Sequence, residues 1–284
     1  MSHQSSPRVL IGHGTENDFV VLPDPDGEVW PEARLDAAMV ARLCDRRAGL
    51  GGDGVLRVVR SGHVPDAPQV LGEALAACEW FMDHRNADGS LTQMCGNGIR
   101  VFARYLRYAG LVDAAGSIRI GTRAGEKTVT FDDDTITVDM GSPAVVGETK
   151  ISVGAGSWTA LNVDMGNPHA VTFVESLDQA GELDEPPSFD RGDYPKRVNV
   201  EFVKRVDDRH LAMRVFERGA GETRSCGTGA SAVMVASALA DGISRPCTYR
   251  VDVPGGRLRV SWREDGRVEL TGPAVLVAAG TWLG

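Results

Sequence analysis

Hydrophobic and polar positions alternate with period two along much of the chain, and only a few stretches carry the longer period of a helix. Residues 8–11 and 18–22 read as two short strands around a Gly12-His13-Gly14 turn. Residues 31–48 read as a helix, with Pro31 at its first position, Leu35, Met39 and Leu43 on one face, Arg46 and Arg47 in the last turn, and Gly49 as the stop. Residues 79–84 are strand-like and run into Asn86-Ala87-Asp88-Gly89-Ser90, a turn signal, and residues 97–109 are helical as far as Gly110. From about residue 117 the texture is mostly β, with strands expected at 127–131, 135–140, 158–164, 170–174, 198–206 and 211–217. A run of small residues over 229–240 reads as a further helix, and strands at 248–253 and 257–263 follow, joined through Pro254-Gly255-Gly256. Residues 178–195, acidic and proline-containing, read as a surface excursion.

Within this pattern the chain echoes itself. Asn86 precedes Cys95 by nine residues, and Glu217 precedes Cys226 by nine. Both cysteines open a Cys-Gly-x-Gly turn, Cys95-Gly96-Asn97-Gly98 and Cys226-Gly227-Thr228-Gly229. Each turn leads into a helix that stops at a glycine 15 or 16 residues after the cysteine. Upstream, Asn17 and Asn167 stand in similar turns that lead into strands. The spacing implies two structurally equivalent halves.

Composition narrows the function classes. The 284 residues, 42% hydrophobic and 24% charged, suit one large globular domain or two ordinary ones. A net charge of -9 argues against nucleic acid, whose phosphates call for a basic face. No apolar stretch is long enough to span a membrane, and the N-terminus lacks a signal-peptide pattern, so a cytoplasmic location is expected. The five cysteines are odd in number and far apart, which in a reducing compartment implies free thiols.

A Cys-Gly-x-Gly turn at a helix start carries chemistry. The first backbone N–H groups of a helix lack internal partners, the dipole is positive there, and glycine permits close approach, so the turn suits a carboxylate. The same field draws a thiol pKa down from about 8.5 toward neutrality, where a group can give or take a proton. With both turns on one cleft, the amides of Gly96, Asn97, Gly227 and Thr228 would hold a carboxylate and put one sulfur on each face of the adjoining α-carbon. A thiolate then removes the α-proton and the opposite thiol replaces it. A lone cysteine is ordinarily a small buried hydrophobe, and Cys44, Cys78 and Cys247 are read that way.

At these residues the chain resembles the diaminopimelate epimerase family. The similar motifs are HGTENDFVVL (13–22), GLGGDG (49–54), NADGSLTQMCGNGIRVFARYL (86–106), DMGNPH (164–169), RVNVEF (197–202), ERGAGETRSCGTGA (217–230) and VPGG (253–256). The resemblance implies interconversion of LL- and meso-2,6-diaminopimelate, on the route to lysine and peptidoglycan, without pyridoxal phosphate or metal. It implies Cys95 and Cys226 as acid and base, with His169 and Glu217 tuning them. Gly96, Asn97, Gly227 and Thr228 are implied to bind the reacting carboxylate, and Asn17, Asn86, Asn167, Asn199, Glu217 and Arg218 to line the substrate site. Arg218 would hold the far carboxylate as a fork and Glu217 an ammonium.

The implied fold is α/β in the α+β sense: two similar domains related by a pseudo-two-fold, each a mostly antiparallel curled sheet around a central helix. The first domain would hold residues 1–126 plus 271–284, and the second 127–270. A homodimer is implied as well. The motifs depart from the family at Thr15-Glu16, where many members have Leu-Gly, and at Gly54, where many carry a substrate-contacting Gln.

Three rivals compete with this reading. A proline or hydroxyproline racemase on the same fold usually has His after the first Cys-Gly, where this chain has Asn97. A pyridoxal-phosphate racemase needs a Schiff-base lysine, and Lys127, Lys150, Lys196 and Lys204 lie in no suggestive glycine-rich setting. A thiol-based metal or redox module would use Cys95, Cys226 and His169, whose spacing is not that of a zinc finger.

Overall fold

The computed structural model describes residues 6–113, 116–195 and 197–284; the N-terminal MSHQS and Lys196, weighed above, lie outside the described residues. The chain divides into two compact units, Met1–Val138 with Pro273–Gly284, and Asp139–Gly272. The first unit holds β1 (Arg8–Gly14), β2 (Asn17–Pro23), β3 (Gly54–Arg60), β4 (Trp80–Asn86), β5 (Ser117–Thr122), β6 (Gly125–Asp132) and the start of β7 (Thr135–Gly141). The second holds β8 (Ala144–Val153), β9 (Gly156–Asp164), β10 (Pro168–Phe173), β11 (Ser188–Phe189), β12 (Asn199–Asp207), β13 (His210–Glu217), β14 (Gly221–Thr223), β15 (Cys247–Val253), β16 (Gly256–Trp262) and β17 (Val268–Pro273). The chain then returns to the first unit as β18 (Val275–Thr281).

The strand order explains the echo. In the first unit the strands run β18-β1-β2-β3-β4-β5-β6-β7, antiparallel except for the parallel pairs β2–β3 and β4–β5. In the second they run β8-β9-β10-β12-β13-β15-β16-β17, antiparallel except for β10–β12 and β13–β15. The two orders are the same, position by position. Each parallel step needs a crossover, and the second crossover of each unit carries its cysteine helix. These are α3 (Gly96–Tyr108) and α4 (Gly227–Ala240), numbered after α1 (Ala37–Cys44) and α2 (Ala67–Leu71). The first unit takes its outermost strand from the C-terminus, so its sheet is complete only once the chain has returned. Strand β6 stays in the first unit because it pairs with β5 from Ser117 to Thr122.

Each cysteine helix is central to its unit. α3 packs on β1, β2 and β18, burying Ile99, Val101, Phe102, Ala103 and Leu106. α4 packs on β9, β10, β12, β15 and β16, and every residue from Gly229 to Ala238 is buried. A helix apolar all round belongs inside a core, and the small residues of α4 let strands approach on several sides.

Two local expectations are corrected. The helix expected over 31–48 is shorter, Ala37–Cys44. Asp36 caps it by accepting from Met39 N at 2.8 Å, and residues 31–35 form a turn closed by Leu35 N on Pro31 O at 3.0 Å. At the other end the Asp45 carboxylate takes the N–H groups of Arg47 and Ala48, offering the backbone an alternative to the helix. Leu35 and Leu43 are buried, with Met39 packed against the same cluster, so the apolar face was real and its caps decided the length. The stretch 178–195 is no free excursion. It contains β11, and its Ala180, Leu183 and Tyr194 are buried in one cluster with Val198 and Phe202. Among the described residues no helix is long and apolar enough to cross a membrane.

Candidate active site

In the first unit β4 ends at Asn86, and the chain passes through a turn and a loop before Cys95 caps α3. Cys95 keeps extended backbone angles, φ -138° and ψ 122°, and its sulfur accepts from Gly98 N at 3.4 Å. The following N–H groups, of Gly96 and Asn97, have no partner within the helix. Cys95 Sγ donates to Asn17 Oδ1 at 3.6 Å, and Asn97 Nδ2 donates to the same oxygen at 3.3 Å. Asn17 Nδ2 in turn donates to Asp53 Oδ2 at 2.7 Å. Asn86 bonds within its own turn: its Nδ2 donates to Ser90 Oγ at 2.9 Å and its Oδ1 accepts from Thr92 Oγ1 at 2.8 Å.

The departures from the family pattern have structural counterparts here. Thr15 and Glu16 both adopt left-handed angles, φ 50° and 62°, as a two-residue hairpin turn with Gly14 opposite Asn17 demands. The β-branched Thr15 is buried in this unfavourable conformation. Its hydroxyl donates to Asn97 Oδ1 at 3.4 Å and accepts from Arg100 Nη2 at 3.3 Å. At Gly54 a Cβ would stand 2.5 Å from Arg85 O and 3.1 Å from His84 Nε2, because β3 and β4 pair closely there. Gly54→Gln is therefore expected to lower stability by about 1–3 kcal/mol as an overpacking change rather than add a substrate contact. Denaturant unfolding measures this, and an unshifted midpoint would show that the strands spread at no cost.

In the second unit Cys226 caps α4 in the same way, with φ -123° and ψ 116°. Its sulfur accepts from Gly229 N at 3.4 Å and lies 3.5 Å from Thr228 Oγ1. Behind it stands a buried dyad, His169 Nδ1 and Glu201 Oε1 at 2.6 Å, both side chains fully shielded from solvent. The parallel pair β10–β12 creates that dyad by setting His169 beside Asn199. Glu201 is close to the cysteine: a Cβ on Gly229 would lie 2.7 Å from Glu201 Oε1 and 3.3 Å from Cys226 Sγ, which is why glycine is required there. Glu217 ends β13, accepts from Thr223 Oγ1, and acts on Cys226 through its charge. Asn199 Oδ1 accepts from Arg218 N at 3.0 Å, while the Arg218 side chain is exposed. Asn167 is half-buried, and its carbonyl accepts from Met165 N at 3.1 Å.

The electrostatics of Cys226 correct a further expectation. A helix start was expected to draw the thiol pKa down. Burial instead pushes it well up, and the Glu217 and Glu201 carboxylates push it further; Thr228 and the Gly229 amide oppose them without prevailing. Burial likewise pushes the Glu217 carboxyl up, against the hydrogen bond from Thr223 and the field of His169.

The structure thus gathers Cys95, Asn97 and Asn17 in one unit, and Cys226, Thr228, His169 and Glu217 in the other. Sequence reasoning passed over Asp53, Arg100 and Glu201. Arg100 is fully buried one turn into α3 and donates to Gly96 O at 2.9 Å, to Thr15 Oγ1 and to Pro273 O. A cation near a helix start opposes the dipole, and that was the available signal for it. For Glu201 the signal was an acidic residue in the middle of the strand-like stretch Val198 to Val203. Among the described residues no group of three or more His, Cys, Asp or Glu is arranged to hold a metal ion.

The fold, two units of one strand order each built around a cysteine-capped helix, is shared with solved proteins of low sequence identity. A hydroxyproline epimerase from Agrobacterium vitis has the same fold, with a TM-score of 0.67 at 15% identity, covering 99% of this chain and 93% of its own. The family is set by sequence. The diaminopimelate epimerase family model matches residues 9–146 and 161–277. The diaminopimelate epimerase of Streptomyces coelicolor is 56% identical over 279 residues, covering 95% of this chain and 93% of its own length. That of Thermobifida fusca is 51% identical over 276 residues, covering 96% and 97%. The chain belongs to the diaminopimelate epimerase family.

Proposed function

We propose that this chain inverts one α-carbon of 2,6-diaminopimelate, LL to meso, with Cys95 and Cys226 as its two acid–base groups. One sulfur, as thiolate, takes the α-proton and becomes a thiol. The other gives its own proton to the opposite face of the carbanion and becomes the thiolate. Atoms balance without a cofactor, and the reverse reaction exchanges the roles.

The observation that carries this reading is the equivalence of the two cysteines. Each caps the helix of the same crossover in two units of the same strand order. Two similar half-sites suit a reaction that must meet one carbon from both sides. The amides of Gly96, Asn97, Gly227 and Thr228 suit the reacting carboxylate, where negative charge develops as the proton leaves. Asn17, Asn86, Asn167 and Asn199 offer neutral donors and acceptors to a substrate with two ammonium and two carboxylate groups. The exposed Arg218 fork suits the far carboxylate, and Glu217 an ammonium. His169 and Glu217 tune the Cys226 side. A cytoplasmic homodimer accords with this reading.

The test is exchange of α-protons in deuterium oxide with LL-diaminopimelate and with L-proline in parallel. Exchange is expected with the first and none with the second. Exchange with proline alone would replace this reading with the proline-racemase one.

A further inference from the structure

The glycine-rich segment before β3 ends in an acidic residue that the proton-transfer reading leaves without a task. Asp53 is partly exposed, with 43% of its side-chain surface accessible. Its carboxylate makes three bonds, two to the opening of β2, Asn17 Nδ2 at 2.7 Å and Asp18 N at 3.3 Å, and one to Arg46 Nη2 at 2.8 Å. Arg46 also clamps Asp18 through two bonds of 2.8 Å, so the carboxylate is held from both sides. The consequence lies one residue further in. A carboxylate can only accept, so the nitrogen end of the Asn17 amide must face Asp53. The oxygen end must then face Cys95 and Asn97, which both donate to it, at 3.6 Å and 3.3 Å.

We propose that Asp53 is a positioning residue that fixes which end of the Asn17 amide faces Cys95, and through it presents the Cys95 thiol with an acceptor. The inference rests on the reading of Cys95 as an acid–base group. A hydrogen bond to the neutral form of a group disfavours its charged form, so an amide oxygen against Cys95 holds the proton on sulfur. Turned round, the amide would put its NH2 against the sulfur and favour the thiolate. The charged groups around Cys95 sharpen the effect. Arg100, buried behind the same helix turn, favours the thiolate, and Asp53 itself is paired with Arg46 on the far side of Asn17. The amide oxygen opposes Arg100, and Asp53 holds its orientation from outside the site.

Asp53→Ala frees the amide, whereas Asp53→Asn keeps one acceptor oxygen for Asn17 Nδ2. The readouts are site-resolved alkylation of Cys95 and Cys226 by iodoacetamide across pH, followed by peptide mass spectrometry, and kcat and KM with LL-diaminopimelate. In Asp53→Ala, Cys95 alkylation at neutral pH is expected to rise about 3–10-fold with Cys226 unchanged, and kcat to fall about 10–100-fold, as on loss of an outer partner that orients a ligand. Asp53→Asn should return both to within about 3-fold of the parent. Should Asp53→Ala not fold, Asp53→Ser, too short to span to Asn17, replaces it. Unchanged Cys95 alkylation in the folded variant, or Asp53→Asn as impaired as Asp53→Ala, overturns the proposal. Loss of exchange in Cys95→Ser together with unaltered Asp53→Ala removes the positioning role alone. Persisting exchange in Cys95→Ser together with an altered Cys95 profile removes the catalytic reading and leaves the positioning.

Discussion

Cys95→Ser and Cys226→Ser are each expected to lower inversion of LL-diaminopimelate by at least ~10³-fold, because a positioned acid or base contributes about 10²–10⁴-fold and the inversion needs both in every turnover. Serine is the informative replacement. Each sulfur accepts the N–H at the third position of its helix, Gly98 for Cys95 and Gly229 for Cys226. Alanine would remove that cap as well and cost about 0.5–2 kcal/mol of stability, whereas a hydroxyl can still accept. Loss of inversion with an unchanged unfolding midpoint therefore separates chemistry from folding. Unimpaired inversion in either variant would falsify the two-base mechanism. The pH dependence should also reveal Cys226. Its thiol is raised by burial and by Glu217 and Glu201, so alkylation of Cys226 should climb only in alkaline solution, above the range of an ordinary cysteine.

The largest stability effect should come from Asp83. This fully buried carboxylate on β4 meets Arg123 at 2.8 Å, Arg85 at 3.3 Å and Arg57 at 3.5 Å. Each arginine has a second carboxylate: Asp66 at 2.7 Å, Glu32 at 2.9 Å and Asp24 at 2.8 Å. Removing the shared partner leaves three guanidiniums crowded in a shielded place, and Asp83→Ala should cost about 3–5 kcal/mol. Urea unfolding measures it, and a loss under about 1 kcal/mol would mean the outer carboxylates suffice. The sign with pH is definite. Burial pushes the Asp83 carboxyl up, but Arg85, Arg123 and Arg57 outweigh it and hold it below the ordinary range. Its contribution is fully present above the unfolded value of about 3.9 and is lost as pH falls through the folded one. Asp83→Asn should flatten the stability profile in that acid window and nowhere else.

Much of this was legible from local pattern. The strands β1, β2, β4, β6, β7, β9, β10, β12, β13, β15 and β16 and the helices α3 and α4 announce themselves by periodicity and by the glycines at their ends. Seven strands did not: β3, β5, β8, β11, β14, β17 and β18. β5 alternates over only six residues; β8 carries a register shift near Gly147 and is largely exposed; β17 and β18 follow each other with a proline between them, and β18 is exposed along most of its length. Each is a strand because a neighbour supplies its hydrogen bonds, and that neighbour is distant in sequence for β18, which pairs with β1. The helix at 31–48 erred the opposite way, since its apolar face ran on past the side-chain caps of Asp36 and Asp45.

By itself the sequence determined the two cysteine turns, because what makes them is local: a sulfur, two glycines and a helix start within four residues, repeated with the same nine-residue leader. Only the tertiary structure decided what surrounds each sulfur. Asp53 reaches Asn17 across 36 positions, Glu201 reaches His169 across 32, and Arg100 reaches Pro273 across 173. Those contacts arise from parallel strand pairing and from the return of the C-terminal strand. They give one thiol a fixed amide and the other two carboxylates, Glu201 buried and Glu217 half-buried, a difference between the two half-sites that their matching motifs conceal.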